Sequence, residues 1–406
     1  MALDMYRRIL AAVDGSSASD YATSAALTLA EAGDGAEISG CHVYAARLHR
    51  TRFEEMEPGL PERYQEEERL GYLRNTHEGL ISQGMELISD AYLSPLAKVA
   101  GERGIPFRGL VPEGRNYVEL LRIIREERPE LTVMGAVGQG LVPEMTLGSC
   151  AERVLLYAPA GDVLVMRRPW NLSNHPIVVG VDGSENSFMA LKRGMEIARH
   201  FGARLEAVAV YDPFFHTGVF RTIADILPEE AQKRFDFASQ ERLHNEIIDR
   251  GLEQLYRENL ERGLSLAESM GVEMTTDVVA GKVCTQLHHY AALRGAGLLV
   301  LGRWGLHREK ESLIGSNTLA AVRMSSTNVL VTAPSAEPLD IPELPQKEER
   351  SPLAWTEDAE KIMERIPPFA RKMARGAIEE HARSKGADTV TKEIVDAVSK
   401  KFGMGG

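Results

Sequence analysis

Short apolar runs alternate with longer amphipathic stretches along most of this chain. ILAAV at 9–13 is followed by a stretch in which Ala22, Ala25, Leu27 and Leu29 recur at helical spacing. EISGCHVYA then reads as a strand, and residues 78–103 return to the helical period through Leu80, Ile81, Met85, Leu87 and Ile88. IPFRGLV predicts a third strand, 117–127 a helix with Leu120, Leu121 and Ile124 inward, and LTVMG a fourth strand. Strands alternating with helices predict an α/β fold, a parallel sheet covered on both faces. In such sheets ligands sit beyond the carboxyl ends of strands, where strand order reverses.

The pattern occurs twice. RRILAAVDGS at 7–16 matches HPIVVGVDGS at 175–184, which sets Asp14 and Asp182 168 residues apart. LTVMGAVGQGLVPEMTLGSCAERVL, 131–155, returns as LLVLGRWGLHREKESLIGSNTLAAVRM, 298–324. Gly135, Gly138, Gly148 and Ser149 in the first correspond to Gly302, Gly305, Gly315 and Ser316 in the second. Nine residues separate the second and third glycines in both. Each repeat closes with a β-rich run, DVLVMRR at 162–168 and NVLVTAP at 328–334. Two motifs in one order at nearly one offset indicate a duplication, with domains at 1–170 and 171–335. Each repeat carries an insertion after its second strand. Residues 45–77 are highly charged; 211–250 begin with YDPFFHTGVF, where Phe214, Phe215 and Phe220 favour a contact surface. A partner-binding arm and a solvated helical excursion fit these insertions equally well.

Glycine lets a backbone approach a ligand without a Cβ, and successive N–H groups in such a turn form an anion-binding concavity. A Gly-Ser at a helix start adds unpaired N–H groups, a hydroxyl and the positive end of the helix dipole. Gly135 and Gly138 can therefore cradle one side of a phosphate chain, and Gly148 and Ser149 the other. Gly302, Gly305, Gly315 and Ser316 take the same roles in the second repeat. Asp14 and Asp182 close their first strands, where a carboxylate can accept a hydrogen bond from an exocyclic amine or a ribose hydroxyl. Capping of the next helix is the alternative.

The pairing of Val-Asp-Gly-Ser with Gly-x2-Gly-x9-Gly-Ser resembles the universal stress protein family in its nucleotide-binding branch, over residues 5–168 and 174–334. The resemblance implies two tandem Rossmann-like five-stranded domains that hold ATP, ADP or AMP, with or without Mg²⁺. It implies that Asp14 and Asp182 face the adenosine and that Val43 and Val210 line the base. It also implies that the runs at 162–168 and 328–334 pair into an intramolecular pseudo-dimer, and the chain is further read as able to form a homodimer.

Charge separates the repeats. Residues 135–150 hold one acid, Glu144, and no base; residues 302–316 hold Arg303, His307, Arg308 and Lys310 against Glu309 and Glu311. The second site is thus expected to grip a polyphosphate more tightly, with Arg303 as leading contact. Phosphoryl transfer wants metal ligands and a base or water-positioning group near the γ-phosphate, and the motif supplies neither a Walker lysine nor an acidic metal ligand at fixed spacing. The expectation is a stress-response sensor or regulator acting through conformation and partner choice, with weak ATP hydrolysis at most. A nucleotide-free, partner-binding stress protein and a slow ATPase are the rival readings. Adjacent His288 and His289 diverge on a helix and do not share a metal ion. Cys150 could be activated by a helix N-terminus, though a small core residue fits it better.

The chain has 406 residues and a net charge of −12, which disfavours nucleic acid and anionic lipid as partners. No apolar run is long enough to span a membrane. The opening MALDMYRRIL lacks the blocks of a secretory signal, and three scattered cysteines fit a reducing compartment, so a cytoplasmic location is expected. Residues 336–352 are Pro- and Glu-rich and read as a linker. Residues 353–406 predict three short helices: one through Trp355, Ala359, Ile362, Met363 and Ile366, one through Phe369, Met373, Ala377 and Ile378, and one capped by Thr391. Through Trp355-Thr356, Ile366-Pro367, Phe369, Arg371, Arg375 and Thr391-Lys392-Glu393, this tail resembles the C-terminal domain of the B subunit of light-independent protochlorophyllide reductase. A docking or oligomerisation module is the reading taken from it. The insertions and this module are the expected places for a protein partner.

Overall fold

The computed structural model describes residues 5–140, 145–213, 249–306, 308, 312–335, 338–342, 353–364 and 368–401. Contacts divide the chain into two compact units, Met1–Pro342 and Glu343–Gly406. The boundary falls inside the segment read as a linker.

The first unit is built on one ten-stranded sheet. In the first repeat β1 (Arg8–Ala12), β2 (Glu37–Cys41), β3 (Phe107–Leu110), β4 (Leu131–Gly135) and β5 (Asp162–Met166) run parallel in the order β3-β2-β1-β4-β5. The second repeat gives β6 (Ile177–Gly180), β7 (Leu205–Tyr211), β8 (Met274–Ala280), β9 (Leu298–Gly302) and β10 (Asn328–Thr332) in the equivalent order. The chain leaves β1 toward β2 and β3, then returns to β4 on the other side of β1. The crevice between the ends of β1 and β4 is therefore the switch point, and β6 and β9 form the same crevice in the second repeat. Apolar clusters on both faces of the sheet form the core, as near-continuous apolar strands require.

The two repeats join through their last strands. β5 and β10 pair antiparallel, with Val163, Leu164 and Val165 opposite Val331, Leu330 and Val329. All six side chains are at most 1% exposed, and each contributes about 1.5–3 kcal/mol by burial. Polar groups fix the register at the edges of this seam. Asp162 accepts from Tyr6 Oη at 2.6 Å and Ala333 N at 2.8 Å, and its Oδ2 lies 3.2 Å from Arg193 Nε. At the corresponding place Asn328 Oδ1 accepts from the backbone N–H groups of Arg167 and Arg168 at 2.9 and 3.1 Å.

The helices that matter for the site are α1 (Ser17–Ala32), α5 (Ser149–Tyr157), α6 (Glu185–Phe201) and α9 (Ser316–Met324). In the first insertion, α2 (Ala46–Met56) precedes α3 (Glu67–Glu102), which begins well before the predicted start at residue 78. In this early part Leu70 is buried while Tyr72 is about 70% exposed, and within the predicted part Leu80 and Leu87 are exposed to the same degree. Ion pairs of Arg74 with Glu57 and of Arg50 with Glu78 hold α2 against α3. Helix α4 (Asn116–Glu127) buries Leu120, Leu121 and Ile124 as predicted. In the second repeat, α7 (Asp249–Ser269) leads into β8, and α8 (Val283–Leu293) into β9. Phe214, Phe215 and Phe220 lie outside the described residues.

The described residues of the second unit form three helices, α10 (Glu357–Glu364), α11 (Pro368–Ser384) and α12 (Lys392–Lys401). Its parallel two-stranded ribbon pairs Ala354 with Thr389 and Trp355 with Val390. Ala359, Met363, Ile378, Ala382, Val395 and Val398 form its core. The indole of Trp355 donates to Glu379 and is covered by Arg375, which also pairs with Glu360. Arg375 is thereby engaged within the unit.

Candidate functional site

Each crevice starts from the Val-Asp-Gly-Ser turn. Gly15 and Gly183 adopt φ of 73° and 88°, which a side-chain-bearing residue rarely takes, and this turns the chain from strand into helix. Ser16 and Ser184 are the N-caps of α1 and α6, accepting from Ser19 N and Ser187 N. Asp14 Oδ1 accepts from Ser16 N at 3.0 Å and Ser16 Oγ at 2.6 Å; Asp182 makes the same two bonds to Ser184 at the same distances. The aspartates therefore sit two residues ahead of the cap and orient it. The second carboxylate oxygen is directed at the glycine loop, where Asp182 Oδ2 accepts from Leu306 N at 2.9 Å.

The six motif glycines follow a packing logic. None is among the positive-φ residues. A Cβ on Gly135 would stand 2.9 Å from backbone atoms of Ala18 and Ser19, and one on Gly302 would stand 2.7 Å from the backbone of Asn186. These two glycines let the ends of β4 and β9 touch the first turns of α1 and α6. A Cβ on Gly138 or Gly305 would meet the aspartate carboxylate at 2.5 Å. Gly148 and Gly315 approach the carbonyls of Ala136 and Arg303, to which their N–H groups donate at 2.7 and 2.8 Å. The returning loop is thus stitched to the strand end just before a helix begins.

Those helices, α5 and α9, start at Gly148 and Gly315 with no side-chain cap. First-turn N–H groups have no partner inside a helix, so both present donors and positive dipole ends at the crevice mouth. Ser149 and Ser316 are exposed there. In the second repeat the crevice is a cavity of about 230 Å³. Its polar wall includes Asp182, Gly302, Gly305, Gly315 and Ser316, and its apolar wall Val208, Val210, Leu287 and Leu301. Five sequence-predicted residues and Val210 thus meet around one space. The sequence reading missed Trp304 and Tyr256, which also line it. Trp304 lies between two motif glycines, which was the available signal. Its indole donates to Ser312 O at 2.9 Å, and the guanidinium of Arg308 lies 3.9 Å from its ring centroid.

In the first repeat Asp14, Gly135, Gly138, Gly148 and Ser149 occupy the equivalent places, and Val43 is buried on the segment following β2. The surroundings differ. Tyr92 packs its ring on Gly15, accepts from Gln139 Nε2 at 2.5 Å and meets His42 edge-on at 5.1 Å. His42 Nδ1 is 2.8 Å from Ser89 Oγ, and burial pulls its imidazole below the usual histidine range against the opposing charge of Asp14. Cys150 follows Ser149, but burial, aided by Asp14, pushes its thiol up to about 11. That is the opposite of an activated thiolate, and Cys150 packs against the apolar cluster instead. The rings of His288 and His289 are tilted by 48° with His289 exposed, and among the described residues no cluster of His, Cys, Asp or Glu suits a metal ion.

Arg303 departs from expectation. It is 4% exposed and does not line the cavity. Its Nη2 donates to Leu155 O at 2.5 Å and Leu156 O at 3.3 Å, in the last turn of α5 of the other repeat, and its Nε donates to Leu313 O at 3.3 Å. Burial lowers the guanidinium to about 10. Helix-end carbonyls need donors, and they take this side chain away from the phosphate cradle. Arg308 is the basic residue of this loop left beside the cavity wall; His307 and Lys310 lie outside the described residues.

A family model described as the universal stress protein family matches residues 5–167 and 173–333, and one described as the proto-chlorophyllide reductase 57 kD subunit matches residues 355–398. Universal stress protein MJ0531 of Methanocaldococcus jannaschii is 27% identical over 160 residues, covering 38% of this chain and 79% of that protein. Universal stress protein Rv1996 of Mycobacterium tuberculosis is 28% identical over 134 residues, 32% of this chain and 42% of its own length. Among solved structures, a universal stress protein from Archaeoglobus fulgidus superposes with a TM-score of 0.51 at 15% identity, covering 82% of this chain and 98% of that one. The Asp-Gly-Ser turn, the glycine loop and the uncapped helix recur at both crevices, and the family model spans both repeats. The chain therefore belongs to the universal stress protein family.

Proposed function

We propose that this protein binds an adenine nucleotide, ATP or its di- or monophosphate with or without Mg²⁺, and acts as a stress-response regulator through conformation and partner choice. The observation that carries the reading is the pair of uncapped helix starts at Gly148 and Gly315, facing the space beside Asp14 and Asp182. Backbone donors at one end suit a phosphate chain. The Val208, Val210, Leu287 and Leu301 wall at the other suits a purine face, and Asp182 suits a ribose hydroxyl or exocyclic amine. Arg308, supported on Trp304, supplies a cation near the second crevice. The exposed apolar side chains of α3 give the regulator role a surface for a protein partner.

The residues serve binding rather than turnover. Oδ1 of each aspartate accepts from the Ser16 or Ser184 cap, which orders the turn and leaves the carboxylate further acceptor capacity for a ligand. The test is mass spectrometry of small molecules released from the purified chain, joined to calorimetry with ATP, ADP and AMP. A co-purifying adenine nucleotide, or saturable heat that Gly305→Ala reduces, is the expected result. No released nucleotide and no heat with any of the three would sink the proposal.

A further inference from the structure

Each crevice is held by a side chain that ends on a helix belonging to the other. Arg303 directly follows Gly302, and its carbonyl accepts from Gly315 N, so its backbone is part of the second crevice. Its guanidinium binds Leu313 O in the same loop together with Leu155 O and Leu156 O. Leu155 and Leu156 lie in the last turn of α5, whose first residue is Ser149 of the first crevice.

The reverse connection is built from different residues. Arg167, just after β5, donates from Nη2 to Val322 O at 2.6 Å in the last turn of α9, and from Nη1 to Thr327 O at 3.5 Å. Its Nη2 also lies 3.4 Å from Thr146 O. Thr146 precedes Gly148 by two residues, and its hydroxyl donates to Arg323 O of α9. Arg323 in turn pairs with Glu152 of α5. Helix α9 starts at Ser316 of the second crevice.

The chemistry of both connections is the same. The closing carbonyls of a helix have no partner within it and carry the negative end of its dipole, so a guanidinium satisfies both. A nine-residue helix is a stiff rod of about 14 Å. Ordering one end therefore constrains the other.

We infer that the two crevices are coupled: a polyphosphate ordering the loop around Gly305 and Gly315 acts through Arg303 on α5 and so on Gly148 and Ser149, and Arg167 with Thr146 forms a second connection between the same two helices. Arg303 is a positioning residue for both crevices and a ligand of neither. The inference rests on the nucleotide reading above. Binding coupling is reciprocal by thermodynamic necessity.

Amide hydrogen exchange of the full chain with ATP tests it. Gly138→Ala confines ATP to the second crevice. In that background ATP slows exchange across 302–306 and 312–318, and also across 145–157, by roughly fivefold or more at the second segment. Adding Arg303→Met keeps the first response and weakens the second. A response at 302–318 without one at 145–157, or a response at 145–157 that Arg303→Met leaves intact, overturns the coupling alone. No response at either segment overturns the nucleotide reading, and the coupling with it. Should Arg303→Met fail to fold, the reverse route decides. With Gly305→Ala closing the second crevice, ATP is expected to slow exchange at 316–324, and Thr146→Val to weaken that effect; an effect unchanged by Thr146→Val overturns the inference.

Discussion

Asp182 and Gly305 stand so close that a Cβ on the glycine would lie 2.5 Å from Asp182 Oδ2, and Asp14 and Gly138 repeat this distance in the first crevice. The aspartate and the glycine loop are thus one unit: the carboxylate places the loop, and the missing side chain admits the carboxylate. A methyl group here must displace one of them. Gly305→Ala is expected to lower ATP affinity of the second crevice at least about tenfold, about 1.4 kcal/mol, and Gly138→Ala to do so in the first. Calorimetry on each variant checks this, and unchanged affinity in both would separate the loop from binding.

The strand-end glycines carry a different prediction. A Cβ on Gly302 would press on the Asn186 backbone at 2.7 Å, and one on Gly135 on Ala18 and Ser19 at 2.9 Å. Backbone cannot yield as a flexible side chain does. Gly302→Ala and Gly135→Ala should each cost about 1–3 kcal/mol of stability, seen as a lower urea midpoint without any nucleotide present. An unchanged midpoint would return these glycines to a purely ligand-facing role.

Arg303 and Arg308 should separate cleanly. Arg303→Met leaves the buried carbonyls at the end of α5 without donors and should destabilise the chain by about 1–3 kcal/mol. Arg308→Ala removes an exposed cation from the face of Trp304 and should leave the urea midpoint in place while weakening ATP binding about tenfold. Equal behaviour of the two variants in both assays contradicts the assignment.

His42 gives a pH dependence. Its imidazole is held below the ordinary value of 6.5 by burial, so the folded chain binds fewer protons there than the unfolded chain. Its contribution to stability is complete above that value and is lost as pH falls from it through the lower value of the folded chain. Urea unfolding at about pH 7.5 and about pH 5.5 should show a loss on acidification that is smaller in His42→Gln. An identical loss in the variant would show that His42 does not contribute.

The repeat, the alternation of strand and helix, and the places of Asp14, Asp182 and the six motif glycines could all be read from the sequence alone. They are local properties: a period of hydrophobicity, a recurring spacing of glycines, a helix start that leaves amides bare. LTVMG became β4 over its predicted span, and the last strands of the repeats pair as the family resemblance implied. Tertiary structure decided what each side chain spends its charge on. Arg303 looks like a phosphate contact in a linear string, because it adjoins Gly302. Only the antiparallel docking of β5 on β10 brings the unpaired carbonyls of α5 within its reach, and a buried guanidinium goes to the acceptors that nothing else can satisfy. The Tyr92–Gln139 contact was equally hidden, since it depends on residues far apart in the chain meeting once the sheet has formed.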